Sequence, residues 1–205
     1  MKLDKLLELQ GQFLADYPEG FNDPEMQKVR KKHNVDKLTE QAQDAFTEAK
    51  FGDPEAVIQS MIQIVGRSSM VSMFEKPRFR DAVGTSLPET RELMVDGLYE
   101  LLHGNQEKGF NILLEELVTM KLAKWSLISI LPFYYAPTEN WFIKPNTTKA
   151  ILKHFEIESL VYKPRPSYAF YRNYSALLTE MKDNADPNLG VNNAAFTGFL
   201  MMTIM

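Results

Sequence analysis

Asp53-Pro54-Glu55-Ala56-Val57-Ile58-Gln59-Ser60-Met61-Ile62-Gln63-Ile64-Val65-Gly66 is the stretch that decides the fold. Aspartate offers a side-chain cap. Proline suits the first helical position, where an N–H would lack a partner anyway, and Glu55 lies near the positive end of the helix dipole. Val57, Ile58, Met61, Ile62, Ile64 and Val65 then make the helix apolar nearly all round, which predicts a central, buried position. Gly66 ends it.

The same punctuation recurs on either side. Asn22-Asp23-Pro24-Glu25 opens a short helix that closes in Lys28, Arg30, Lys31, Lys32 and His33. Cations in a last turn complement the dipole, so this run reads first as a solvated helix end and second as a basic docking point. Helical spacing predicts an amphipathic helix over residues 3–16 and another over Asp36 to Lys50. Ser86-Leu87-Pro88-Glu89 has capping-box spacing before a helix through Leu102, and Phe110 to Val118 gives one more. No strand-like alternation occurs in the first 120 residues, and no sequence period repeats. The expectation is an all-α, irregular array of eight to ten helices in a single domain over residues 1–205.

Bulk composition bounds the function. Hydrophobic residues make up 44% and charged residues 24%, the balance of a globular chain. Cysteine is absent, which removes disulfides, thiolate metal sites and cysteine nucleophiles. No leader-like apolar segment follows Met1, and the longest apolar run, Phe196 to Met205, is too short to span a bilayer. A cytoplasmic protein without a membrane partner is expected. Net charge is −4, but it is unevenly spread: residues 1–120 hold 14 basic and 21 acidic groups, residues 121–205 hold 9 and 6. An acidic helical part is thus joined to a basic, aromatic-rich one.

That second part centres on Lys121 to Tyr174, which holds 12 of the chain's 23 aromatic residues and eight Lys/Arg against three acids. A helix is expected over Lys121 to Leu131. Asn146 is expected to cap a helix from Thr147 to Phe155, Leu160 to Tyr162 to run strand-like, and Ser167 to cap a helix from Tyr168 to Asp183. Two constellations invite an anion. Lys144-Pro145-Asn146-Thr147-Thr148-Lys149 sets free backbone N–H groups, an amide and hydroxyls at a helix start between two cations. Arg165, Tyr168, Tyr171 and Arg172 could bring cations and phenols to one surface. Each has an ordinary structural reading beside it: an N-cap with exposed lysines, and a proline-stiffened turn whose tyrosines pack.

Catalytic chemistry finds no motif. No Gly-x-Ser-x-Gly elbow and no phosphate-loop glycine pattern is present, and His33, His103 and His154 stand far apart without ligand spacing. No catalytic residue, metal or cofactor is predicted, although a Ser/His/Asp group assembled in space stays open.

The run from Lys124-Trp125 through Phe142-Ile143-Lys144-Pro145 and Thr148 to Tyr162, Pro166, Tyr168 and Tyr171 resembles a bacterial helical family of unassigned activity. In that family a Trp-bearing helix leads to a Phe-Leu-Lys-Pro-x-x-Thr segment, then a tyrosine, a proline turn and an aromatic helix. A looser likeness is to helix-hairpin-helix DNA-repair glycosylases. It departs where it matters: the DNA-contacting glycine hairpin is missing around Met120 to Trp125, and no acid stands over Lys144 to Asn146. The likeness implies a helical scaffold and nucleic-acid contact without glycosylase chemistry.

The function expected is therefore a binding module whose face of Lys144, Asn146, Thr147, Lys149, Arg165, Tyr168 and Arg172 meets nucleic acid or another anionic partner. The alternative is a protein-interaction or self-association subunit that uses the apolar segment Phe196 to Met205.

Overall fold

Asp53 accepts the Ala56 N–H at 3.1 Å, and Pro54 takes the first position of the helix behind it. The computed structural model describes residues 2–204, and among these the chain forms eleven α-helices and three short 3₁₀ turns with no strand. The helices are α1 (Leu3–Asp16), α2 (Pro24–His33), α3 (Val35–Ala45), α4 (Pro54–Arg67), α5 (Glu75–Gly84), α6 (Pro88–His103), α7 (Gln106–Thr119), α8 (Trp125–Tyr135), α9 (Pro145–His154), α10 (Tyr168–Asp183) and α11 (Asn193–Ile204). The fold is all-α.

The central position expected of α4 is met. Val57, Ile58, Met61, Ile64 and Val65 are buried, and α3, α5, α6 and α8 pack around it. Helix α8 is also deeply buried, from Trp125 through Tyr134. One hydrophobic core runs from Leu6 in α1 to Leu200 in α11. Helices α6 and α7 form a tight pair because Gly109 lets the backbones meet. A Cβ there would stand 2.1 Å from Leu101 N and 2.5 Å from Gly97 O.

Several boundaries differ from the sequence reading. Proline takes the first helical position in α9 and α6, so the residue before it is the cap, two positions before Asn146 in α9 and one after Ser86 in α6. Lys144 rather than Asn146 precedes α9, and Asn146 is an exposed residue of its first turn. Leu87 precedes α6, and Ser86 donates its hydroxyl back to Val83 O at 2.8 Å instead of capping. Helix α8 starts at Trp125, not Lys121, because Lys121 adopts φ +58° and closes α7, with Leu122 N–H donating to Leu117 O at 2.7 Å. Pro132 does not stop α8, which continues to Tyr135. Helix α3 ends at Ala45, and Glu48–Gly52 is a separate 3₁₀ turn. Leu160 to Tyr162 is irregular, with Val161 exposed.

Candidate anion-binding site

A cavity of about 180 Å³ opens where α2, α3, α9, α10 and α11 meet the loop after α4. Each wall is fixed by a local device. Asn34, at φ +53°, turns the chain from α2 into α3 and leaves Arg30, His33 and Asp36 on the rim. The loop after α4 is pinned by buried Ser68, whose hydroxyl is 2.9 Å from that of Tyr134 in α8. Burial pushes the Tyr134 phenol up to about 12. The segment before α9 is held by Ser129: its hydroxyl donates to Trp125 O at 2.6 Å and accepts the Ile143 N–H at 3.0 Å. Asn192 fixes α11 by accepting the Ala195 N–H at 2.8 Å. Asn193 extends the same corner, donating to Asn140 O at 2.9 Å and accepting from Lys182 at 2.6 Å.

Polar groups converge inside these walls. His33 Nδ1 and Ser69 Oγ are 2.9 Å apart. Arg30 and Asp36 approach to 3.9 Å and offset one another, which leaves Lys144 as the unopposed permanent charge on the rim. Partial burial lowers the His33 pKa, and the Lys32 and Lys144 charges lower it further. Thr147 and Asn192 are 7% and 8% exposed and both line the cavity. Among the described residues the buried side-chain polar atoms left without a partner are Thr39 Oγ1, Arg91 Nε and Ser175 Oγ, and none of them lines this cavity. Tyr174, also in the lining, is buried beside the Thr148 hydroxyl, and burial raises its phenol pKa far above the ordinary value. Most of the remaining lining is apolar, including Val29, Val35, Met70, Phe142, Met201 and Met202.

A wider groove of about 690 Å³ adjoins this cavity and shares Ser69, Met70 and Lys144 with it. Lys76, Lys124, Trp125 and Tyr162 line it further.

The residues singled out in sequence divide among different surroundings. Lys144 and Thr147 line the cavity. Lys149 lies 5.2 Å from the centre of the Tyr162 ring, beside the groove. Asn146 is exposed in the first turn of α9. Tyr168 turns toward α7, donating to Gln106 Oε1 at 3.1 Å with its ring 5.6 Å from that of Phe110. Arg172 reaches only its neighbour Asn173, at 3.4 Å, and Arg165 is exposed in the preceding loop. Arg165, Tyr168 and Arg172 line neither the cavity nor the groove. Tyr171 is buried, and its phenol donates to Asn140 Oδ1 at 3.4 Å, so it does not join Tyr168 and Arg172 on a surface.

Arg30, His33, Ser69 and Asn192 meet only in the folded chain. The basic end of α2 was visible in sequence, but nothing local links it to residues 69 or 192. The tail is largely used inside the fold: Phe196, Phe199 and Leu200 are buried, while Met201 and Met202 are 37% and 44% exposed. Met205 lies outside the described residues. Among those residues no group of three or more metal-ligating side chains occurs, and no helix is long and apolar enough to cross a membrane.

Comparison with family models, curated proteins and solved structures finds no match for this chain.

Proposed function

We propose that this chain is a binding module for a small anionic ligand with an apolar body, seated between α2, α9 and α11. The observation that carries this reading is the convergence of His33, Lys144 and the nearly buried polar side chains of Thr147 and Asn192 in one largely apolar cavity. The start of α9 adds backbone N–H groups and the positive end of its dipole. The apolar side chains opposite give the rest of the ligand a surface to bury against. This keeps the anionic partner expected from the sequence and moves it from an open face into a cavity.

Calorimetric titration of the full chain with dodecanoate tests the reading, with dodecanol as the neutral control and a labelled DNA duplex alongside. Saturable one-to-one binding of dodecanoate, with dodecanol at least tenfold weaker, is expected, since a charge-assisted hydrogen bond contributes about 1.5–3 kcal/mol. Equal affinity for the neutral alcohol contradicts it. Steeply salt-dependent duplex binding without dodecanoate binding would restore the nucleic-acid reading.

A further inference from the structure

The groove beside the cavity has more positive charge than a carboxylate needs. Lys76, Lys124 and Lys144 line it against one acid, Glu75, whose carboxylate already accepts the Ser126 hydroxyl at 2.7 Å. Among the described residues none of these three lysines enters an ion pair, whereas Lys2, Lys5 and Lys108 each do. Lys149 adds a fourth cation at the Tyr162 edge of the groove. The cavity, by contrast, is largely apolar and smaller, about 180 Å³ against about 690 Å³. Ser69, Met70 and Lys144 belong to both, so the two spaces are neighbours across one short wall.

We propose that the ligand is a single-chain amphiphile with a phosphate head, its chain in the cavity of Val35, Phe142 and Met202 and its head across Lys144 among Lys76 and Lys124. This rests on the cavity reading above and extends it. A phosphate monoester carries nearly two charges and three acceptor oxygens, so it needs several cations at once, which a carboxylate does not. Lysines act as mobile point charges and suit a head whose oxygens point in several directions. Ser69 lines both spaces, and its hydroxyl, 2.9 Å from His33 Nδ1, holds that ring beside the junction of chain and head. The chain would gain by leaving water for the apolar walls.

Calorimetry of the full chain with dodecyl phosphate and with dodecanoate, both below their aggregation concentrations, tests the assignment. Dodecyl phosphate is expected to bind at least about tenfold tighter. The K76A/K124A variant, checked for an unchanged thermal midpoint, is expected to lose that preference and keep dodecanoate affinity. Equal affinities in the parent chain, or a preference that survives K76A/K124A, overturns the head assignment while leaving the cavity reading intact. Failure of both amphiphiles to bind overturns the two together. Binding to vesicles containing phosphatidic acid, without binding of monomeric dodecyl phosphate, overturns it in favour of a lipid surface.

Discussion

His33 Nδ1 sits 2.9 Å from Ser69 Oγ, which ties the end of α2 to the loop after α4 at the rim of the cavity. The ring is half-buried, and Arg30, Lys32 and Lys144 are the cations around it, with Asp36 the acid. Its folded pKa is lower than 6.5, so the folded protein holds this proton less firmly than the unfolded chain does. The stability that His33 contributes is therefore complete above pH 6.5 and falls away as pH drops through the folded pKa. A bound anion reverses the preference by favouring the charged ring. Dodecanoate affinity is expected to rise as pH falls from about 7.5 to 5.5, and H33Q to flatten that rise. Calorimetry at matched ionic strength checks it; an unchanged slope in H33Q removes His33 from the site.

Asn192 has two jobs that substitution can separate. Its Oδ1 accepts the Ala195 N–H at the start of α11, while the same side chain lines the cavity with an amide that can donate to a ligand. Asn192→Asp keeps the accepting oxygen and replaces the donor with a second carboxylate oxygen. Folding is expected to persist while dodecanoate affinity drops at least tenfold, a loss of about 1.4 kcal/mol or more. Thr147→Val, which preserves shape and removes the hydroxyl, is expected to weaken binding in the same direction. Wild-type affinity in both variants would contradict the assignment of these donors.

Glu156 links α1 to the end of α9. Its carboxylate pairs with Lys2 and Lys5, and Lys5 also donates to His154 O at 2.8 Å. Hydrogen bonds and charge from the two lysines lower the Glu156 pKa from 4.5 to about 2. A depressed carboxylate stabilises the fold above its unfolded pKa and loses that effect as pH falls through the folded one. Thermal midpoints of the parent and Glu156→Gln are expected to differ at pH 6 and to converge between pH 4.5 and about 2. A constant gap across that window would contradict the pairing.

Two backbone positions give opposite stability predictions. Gly109→Ala places a Cβ against the Leu101 and Gly97 backbones and cannot be relieved by a side chain moving aside. A loss of about 3 kcal/mol or more is expected in denaturant unfolding. Lys121 sits at φ +58° and is exposed, so Lys121→Gly relieves left-handed strain at no packing cost. A gain of about 0.5–1 kcal/mol is expected, or roughly 2 °C in the thermal midpoint.

What the sequence made legible was local. Asp53, Asp23 and Ser167 accept the cap hydrogen bonds expected of them, and α4 is central as its all-round apolar face implies. Left-handed Lys121 was not legible, because glycine, the usual residue there, is absent. Pro132 misled for a related reason: tertiary packing of a wholly buried helix overrode a local breaker. The α9 start was legible as an anion-friendly feature, and Lys144 and Thr147 do line the cavity. Its other walls come from His33, Ser69 and Asn192, which only folding brings together. The same folding turns Tyr168 toward Phe110 and buries Tyr171, a difference that aromatic spacing alone could not express.

The most direct measurement is a dodecanoate titration followed by ¹⁵N–¹H correlation spectra of the full chain. The side-chain amide of Asn192 and the backbone amides of Asn146 and Thr147 should shift saturably with one binding constant. Shifts confined to the surroundings of Arg165, Tyr168 and Arg172, with the Asn192 amide unmoved, would contradict binding in the cavity.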